Sequence, residues 1–227
     1  MQVWGITHRG AVRSQNQDAY AAQQLEDGRV IALVCDGMGG ARAGNVASTM
    51  AVELFMKEFA NNHQVSREEE RMQRAAALAN REVFQRSVRE ADCAGMGTTM
   101  VAALVGGPGN MDEKHLDYAE AALAGEREAI ILNEGDSRAY HINQDGIVLV
   151  TRDHSLVEDL VERGELTREE ARNHPHKNLI TRALGAEPVL KADCFRKQLL
   201  PGDYLLLCSD GLSNVVGEQE MLYEVIH

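Results

Sequence analysis

Two aspartate–glycine pairs, at residues 36–37 and 210–211, each follow an apolar run of strand length. The runs cover residues 30–35 and 204–208, and unbroken apolar runs are typical of strands that are covered on both faces. Each aspartate would therefore leave the core at the rim of a sheet. Two carboxylates placed there by separate strands are poorly explained by packing and well explained by a shared cation. Oxygen ligands of this kind suit hard divalent ions such as Mg²⁺ or Mn²⁺.

The same pairs also have a simpler interpretation, because Asp-Gly is a favoured hairpin turn. Two other Asp-Gly pairs, at residues 27–28 and 145–146, lie between strand-like runs and are predicted to be ordinary hairpins. Asp36 is followed instead by a glycine-rich segment and a helical pattern over residues 45–60, and no strand-like run follows Asp210. Spacing alone leaves the ligand role and the turn role open for both aspartates.

Composition and charge exclude several classes of protein. The chain has 227 residues, which suits one domain, and its formal net charge of -12 with no basic stripe argues against nucleic acid as a partner. No apolar run approaches the ~20 residues that span a bilayer, and the N-terminus lacks signal-peptide features, so no membrane association and a cytoplasmic location are expected. The four cysteines form no Cys-x-x-Cys pair and no zinc spacing, which agrees with a reducing compartment.

The elements that must position these residues alternate between strands and helices. The first third of the chain predicts two strands, a loop and two long helices, and the middle is rich in strands. Ser155 and Thr167 begin two short, charged helical segments, each with a glutamate at the third helical position, which suggests a small flap beside a sheet. Strands resume over residues 199–208, and a helical pattern covers residues 218–226. This order predicts an α+β or layered sandwich fold.

Seven short blocks along the chain form an ordered series of motifs. They are residues 7–10 with 13–18, then 36–40, 97–99, 135–140, 153–155, 180–185 and 209–212. In this order they resemble the motifs of the metal-dependent Ser/Thr protein phosphatases of the type 2C family, in particular the small bacterial single-domain members. One Asp-Gly alone carries no weight, whereas the full series covers nearly the whole chain and is highly specific.

The resemblance implies a four-layer α-β-β-α sandwich, in which two antiparallel sheets are flanked by helices and a small flap subdomain covers residues 153–178. Residues 1–227 would form a single phosphatase catalytic domain, with a metal cluster in a cleft at one edge of the sandwich. The enzyme would be a monomer that hydrolyses phosphoserine and phosphothreonine in other proteins, among them a bacterial Hanks-type Ser/Thr kinase and its substrates.

The resemblance also implies a set of metal ligands. Asp36 would bridge two Mn²⁺ or Mg²⁺ ions, the carbonyl oxygen of Gly37 would bind one of them, and Asp210 would bind the other. Asp18 would reach the cluster through water, and Asp136 would hold a third, weaker ion.

Arg13 would hold the substrate phosphate, because its planar guanidinium matches phosphate oxygens and stays charged. Two ions about 3.5–4 Å apart bridge a water and lower its pKa towards neutrality, and the resulting hydroxide attacks phosphorus in line. The expected catalytic residues are therefore Arg13, Asp18 and Asp36. Because no cysteine lies in a phosphate-cradling loop, a phosphocysteine route is not expected.

Two positions depart from the family pattern. Many bacterial relatives carry a histidine, a candidate proton donor to the leaving group, where this chain has Ala41. The donor would then be water or another residue, with His8 and His154 as candidates, although a single histidine near a site is more often structural. The family's last motif, an Asp-Asn that supplies a further metal ligand, is not found after Asp210. We expect the chain to continue beyond His227 and supply that aspartate with a terminal strand pair; the alternative is a site without this ligand.

Two other functions compete with general phosphoprotein hydrolysis. The missing aspartate would suit a pseudophosphatase, a phosphoprotein-binding module without turnover, whereas the retained Arg13 and the four other aspartates argue against it. The third hypothesis is a related phosphatase that acts on anti-anti-sigma factors. Fused sensor domains would favour it, and these 227 residues contain none.

Overall fold

Two antiparallel β-sheets lie face to face at the centre of the fold. The computed structural model describes residues 1–11, 13–62, 65, 67–106 and 125–227. The large sheet has the order β1 (Asp18–Gln24), β2 (Val30–Met38), β4 (Met100–Gly106), β5 (Arg127–Glu134) and β8 (Asp193–Leu199), and β3 (Gly97–Thr98) pairs with the end of β2. The small sheet has the order β7 (Gly146–Leu149), β6 (Arg138–Asn143) and β9 (Tyr204–Cys208).

Helices cover the outer faces of both sheets. The long helices are α1 (Ala41–Asn61) and α2 (Glu68–Arg89), which a short 3₁₀ turn (Ala91–Cys93) follows. The shorter ones are α3 (Leu156–Glu162), α4 (Arg168–Arg172), α5 (Asp210–Ser213) and α6 (Glu218–Ile226). Within the described ranges, no helix is both long and apolar enough to cross a membrane.

Strand alternation sorts the buried side chains into three cores. Leu33 of β2 packs in one cluster with Phe55 of α1, between the large sheet and the long helices. Val101 of β4, which faces the other way, packs with partly buried Leu207 between the two sheets. Tyr140 of β6 packs beneath α6. Because successive residues of a strand point to opposite faces, this is a four-layer α-β-β-α sandwich, and the predicted fold is confirmed.

The Asp36 strand continues further than the sequence predicts. β2 ends at Met38, two residues after Asp36, because Gly37 and Met38 pair with Thr98 and Gly97 of β3. α1 begins at residue 41, four residues before the predicted start. Asp36 therefore lies within a paired strand, whereas the sequence predicted that it follows one.

The flap contains the two predicted short helices. Ser155 accepts a hydrogen bond from the backbone N–H of Glu158 and caps α3, and Thr167 forms a complete capping box with Glu170 at the start of α4. At the base of the flap, Ser155 forms an isolated antiparallel bridge with Ile180. The two ends of the flap are thus joined side by side where it leaves the sandwich.

Candidate metal centre

Three aspartates from distant parts of the chain meet at one edge of the sandwich. The register of β1 and β2 places Asp18 directly opposite Asp36, and Asp210 is the first residue of α5. Burial, followed by the negative charges of Asp18 and Asp210 and hydrogen bonds to them, raises the pKa of Asp36 to about 8. The carboxyl group of Asp36 therefore lies between its two neighbours, with an excess of negative charge that a cation would relieve.

Two short side chains hold the outer carboxylates in place. Ser209, the residue before α5, donates a hydrogen bond from Oγ to Asp18 Oδ2 at 2.9 Å. Asn214 donates from Nδ2 to Asp210 Oδ2 at 3.1 Å. The first contact joins the segment before α5 to β1, and the second is local to α5; sequence reasoning assigned no role to Ser209 or Asn214.

The backbone of Asp36 is fixed by the Gly-Thr-Thr motif. The N–H of Asp36 donates to Thr99 Oγ1 at 2.9 Å, and its carbonyl accepts from Thr98 Oγ1 at 2.9 Å and from the Thr99 N–H at 2.8 Å. The Thr99 hydroxyl also lies 2.7 Å from that of buried Ser137. This motif therefore ties the strand that carries Asp36 to the turn that carries Asp136.

Gly37 lies where the backbone of α1 approaches most closely. A Cβ atom on Gly37 would lie 1.9 Å from the carbonyl oxygen of Gly44. A Cβ atom on Gly44 would lie 2.7 Å from the carbonyl oxygen of Gly37, the predicted ligand atom. Both positions therefore need glycine, and the reason is a close approach of two backbones.

The segment that carries Arg13 is anchored on α1 by its neighbours. Gln17 donates from Nε2 to the carbonyl of Gly40 at 2.9 Å, Asn45 donates to the carbonyl of Asn16 at 2.9 Å, and Ser48 donates to the carbonyl of Gln17 at 2.6 Å. The side chain of Gln17 and the backbone carbonyls of Asn16 and Gln17 thus fix the segment that follows Arg13.

Arg13 itself is exposed and lines a cleft of about 760 Å³ together with Asp18, Asp36 and Asp210. No ion pair or hydrogen bond joins its guanidinium to another residue in the described part of the chain. The cleft therefore contains a cation that is free to meet an anionic ligand beside the three carboxylates.

Asp136 approaches the same centre from the small sheet. It lies in the turn between β5 and β6, where burial, followed by the charges of Asp210 and Asp153, raises its pKa to about 6 although nearby Arg138 opposes the shift. Asp136 and Asp210 also line a second cleft, of about 600 Å³, between the flap and α6. Asp210 therefore borders both clefts, and Asp136 borders the flap side only.

The donor set fits hard divalent cations. None of the four aspartates, Asp18, Asp36, Asp136 or Asp210, forms an ion pair with a described Lys, Arg or His. Nor do any three His, Cys, Asp or Glu side chains of the described residues already converge tightly enough to hold an ion alone. Mg²⁺ and Mn²⁺ accept this arrangement, because they take carboxylate oxygens and complete their coordination with water and phosphate oxygens.

The two candidate proton donors differ in their surroundings. His154 is only 2% exposed, and both of its ring nitrogens have partners, so it is a structural residue. Burial lowers its pKa, which further disfavours a cationic donor. His8 lines the Arg13 cleft, where its Nδ1 accepts the N–H of Gly10 at 3.1 Å, and its role stays a prediction.

Comparison with known proteins places the chain among bacterial phosphatases. A family model described as protein phosphatase 2C matches residues 7–226. A serine/threonine phosphatase stp from Listeria innocua is 38% identical over 218 residues, which cover 95% of this chain and 79% of that relative.

Solved structures give the same assignment. The crystal structure of serine/threonine phosphatase Stp1 from Staphylococcus aureus has a TM-score of 0.82 at 33% identity and covers 98% of this chain and 81% of that one. The catalytic domain of serine threonine protein phosphatase PstP, in complex with 2 manganese ions, has a TM-score of 0.74 at 29% identity and covers 95% and 80%. The chain belongs to the protein phosphatase 2C family.

Proposed function

We propose that this chain hydrolyses phosphoserine and phosphothreonine in other proteins and uses Mn²⁺ or Mg²⁺ held by Asp18, Asp36, Asp136 and Asp210. The observation that carries the proposal is the position of Asp36, partly buried beside two carboxylates and without an ion-pair partner among the described residues. The manganese ions in the PstP relative support the choice of metal. Retention of these aspartates favours turnover over a pseudophosphatase.

In this proposal, metal binding and phosphate binding are carried out by different residues. Divalent ions supply Lewis acidity, which lowers the pKa of water and offsets charge on the phosphate oxygens. Asp36 and the carbonyl of Gly37 would hold the ions from the last residues of β2, and Asp210 would hold them from α5. Arg13 would orient the phosphate and neutralise charge on its equatorial oxygens, because its guanidinium is free at the cleft.

The finer assignments belong to the same proposal. Residues 1–227 would act as one catalytic domain with a flap over about 153–178. The protein would be a cytoplasmic monomer in bacterial signalling, with a Hanks-type Ser/Thr kinase and its substrates among its partners. The free, buried thiols of Cys35, Cys93 and Cys208 support a reducing compartment.

The proposal is tested by the metal dependence of hydrolysis. We expect the protein to hydrolyse p-nitrophenyl phosphate and phosphothreonine peptides with added Mn²⁺, to lose this activity in excess chelator and to recover it when Mn²⁺ is restored. A phosphotyrosine peptide serves as the specificity control. Full activity in excess chelator would contradict the assigned chemistry.

Arg13→Ala is expected to weaken substrate handling without loss of metal. We expect kcat/KM to fall by a factor of about 10–1,000, because the charged, bidentate partner of the phosphate is removed. Arg13→Lys keeps the charge and loses the planar fork, so its kcat/KM should lie between those of the unmodified protein and Arg13→Ala. Steady-state kinetics and Mn²⁺ titration by calorimetry check this. A variant with normal turnover but weakened Mn²⁺ binding would show that Arg13 does not meet the phosphate.

A further inference from the structure

A buried histidine lies directly behind the turn that presents Asp136. The N–H of Gly135 donates to His154 Nδ1 at 3.0 Å, and the N–H of His154 donates to the carbonyl of Gly135 at 2.9 Å. Because Nδ1 accepts, the ring proton lies on Nε2, which donates to Asp193 Oδ2 at 3.1 Å. The imidazole therefore joins the backbone next to Asp136 to a carboxylate on strand β8.

Asp193 is in turn held by an arginine from one of the family motifs. Arg182 contacts the two carboxylate oxygens of Asp193 at 3.1 and 3.2 Å and donates to the carbonyl of Lys191 at 2.8 Å. The carboxylate that accepts from His154 Nε2 is therefore held in an ion pair with Arg182. This ion pair lies away from both clefts.

His154 also stands at the base of the flap. Before it, Asp153 forms a three-contact ion pair with Arg138, in which Nη2 approaches Oδ2 at 2.6 Å. After it, Ser155 caps α3. The carbonyl of His154 accepts the N–H of Thr181, on the returning end of the flap, at 2.8 Å. The two ends of the flap and the Asp136 turn therefore meet at one residue.

We propose that His154 is a positioning residue, which holds the Gly135–Asp136 turn in register with the base of the flap and so sets the affinity of the ion held by Asp136. The inference rests on the proposed metal role of Asp136. It follows from the contacts that a movement of the flap base and a movement of the Asp136 turn are coupled at His154, through its imidazole as well as its backbone. A group that binds on the flap side of the centre would thereby change how firmly Asp136 holds its ion.

A second buried histidine provides a matched control. His141 is 8% exposed, and its Nε2 lies 2.7 Å from Asp203 Oδ2, so it forms the same kind of pair. This pair joins β6 to the loop before β9 and makes no contact with the Asp136 turn. Loss of His141 should therefore affect stability alone.

The experiment compares His154→Gln, His154→Asn and His141→Asn with Asp136→Ala as the reference. Gln keeps a donor at the Nε2 position and loses the acceptor for Gly135, whereas Asn keeps the acceptor and loses the reach to Asp193. Calorimetric titration of the metal-free proteins with Mn²⁺ reports binding, and the Mn²⁺ dependence of phosphopeptide hydrolysis reports function.

We expect His154→Gln to weaken the weakest Mn²⁺ site by about 10–100-fold, the usual effect of an outer contact on metal affinity, and His154→Asn by only about threefold. His141→Asn should lower the melting temperature and leave the Mn²⁺ isotherm unchanged. An unchanged isotherm for His154→Gln, an equal shift for His154→Asn, or the same shift for His141→Asn would overturn the inference. If His154→Gln does not fold, Asp193→Ala takes its place. In that case, Mn²⁺ isotherms that are unchanged in both Asp193→Ala and His154→Asn would overturn the inference.

Failure of the proposed function would look different. In that case the unmodified protein would show no Mn²⁺-dependent turnover, or Asp136→Ala would bind Mn²⁺ as the unmodified protein does. If the Mn²⁺ isotherm changes in Asp136→Ala and does not change in His154→Gln, the proposed function stands and the role of His154 is rejected.

Discussion

Asp36→Asn is expected to abolish phosphatase activity and, at the same time, to raise the melting temperature of the metal-free protein. Burial beside Asp18 and Asp210 raises the pKa of Asp36 from 3.8 to about 8. An acid whose pKa is raised by folding stabilises the protein below its unfolded pKa, and this stabilisation is lost as the pH rises through about 4 to 8. Asparagine cannot ionise, so the variant should escape a cost of up to about 4 kcal/mol near neutral pH.

The loss of activity has a separate cause. The amide of asparagine offers one uncharged oxygen in place of the two charged oxygens of the carboxylate, so it would hold divalent ions more weakly, and loss of their Lewis acidity removes several kcal/mol of transition-state stabilisation. We expect turnover to fall at least about 1,000-fold, or about 4 kcal/mol. The same substitution would therefore stabilise the metal-free protein and remove its function.

Thermal unfolding in chelator at pH 5 and pH 8 checks the stability effect. The unmodified protein should lose more stability than Asp36→Asn between these pH values, and saturating Mn²⁺ should reverse their order, because only the unmodified protein gains binding free energy. Asp203→Asn is the control, because its melting temperature should change in the opposite direction. Although burial opposes it, hydrogen bonds from the Leu200 N–H and from His141 lower the pKa of Asp203, so that variant should melt earlier. Equal melting of Asp36→Asn and the unmodified protein at pH 8 would contradict the electrostatic account.

Gly37→Ala is expected to destabilise the fold strongly, whereas Gly211→Ala, at the other Asp-Gly pair, should be tolerated. A Cβ atom at residue 37 would lie 1.9 Å from the carbonyl oxygen of Gly44 and 2.9 Å from that of Gln17, and both are backbone atoms. At residue 211 the nearest atom is Ser209 Oγ at 3.6 Å, an ordinary contact. We expect Gly37→Ala to cost at least about 3 kcal/mol, because β2 or the start of α1 must move.

Chemical and thermal denaturation of both variants measure this difference. A loss of about 3 kcal/mol corresponds to a fall of about 6–12 °C in melting temperature for a chain of this size. Gly211→Ala should stay within about 0.5 kcal/mol of the unmodified protein, the usual range for substitutions that make no new close contact. If the two alanines had equal effects, the close approach of β2 and α1 would not be a constraint on the fold.

Local sequence was sufficient for most of the fold. The apolar runs identified β2, β4, β5 and β9, whereas the more polar strand β8 was not predicted, and the Asp-Gly pairs at 27–28 and 145–146 form hairpins as predicted. Ser155 and Thr167 cap α3 and α4, the two short helices whose starts the sequence predicted at these residues. These features were predictable because burial, turn geometry and capping depend on residues that are neighbours along the chain. The ordered motifs then indicated the family and the carboxylates.

Tertiary structure alone decided how those residues meet. The two Asp-Gly pairs look alike in sequence, yet a Cβ on Gly37 would meet the backbone of α1 and a Cβ on Gly211 would make only an ordinary contact with Ser209. Only packing between distant segments distinguishes them. Register between β1 and β2 sets Asp18 opposite Asp36. The partners of His154 come from residues 135 and 193, 19 and 39 positions away, so no local pattern could show that it supports the Asp136 turn and is not free to donate a proton.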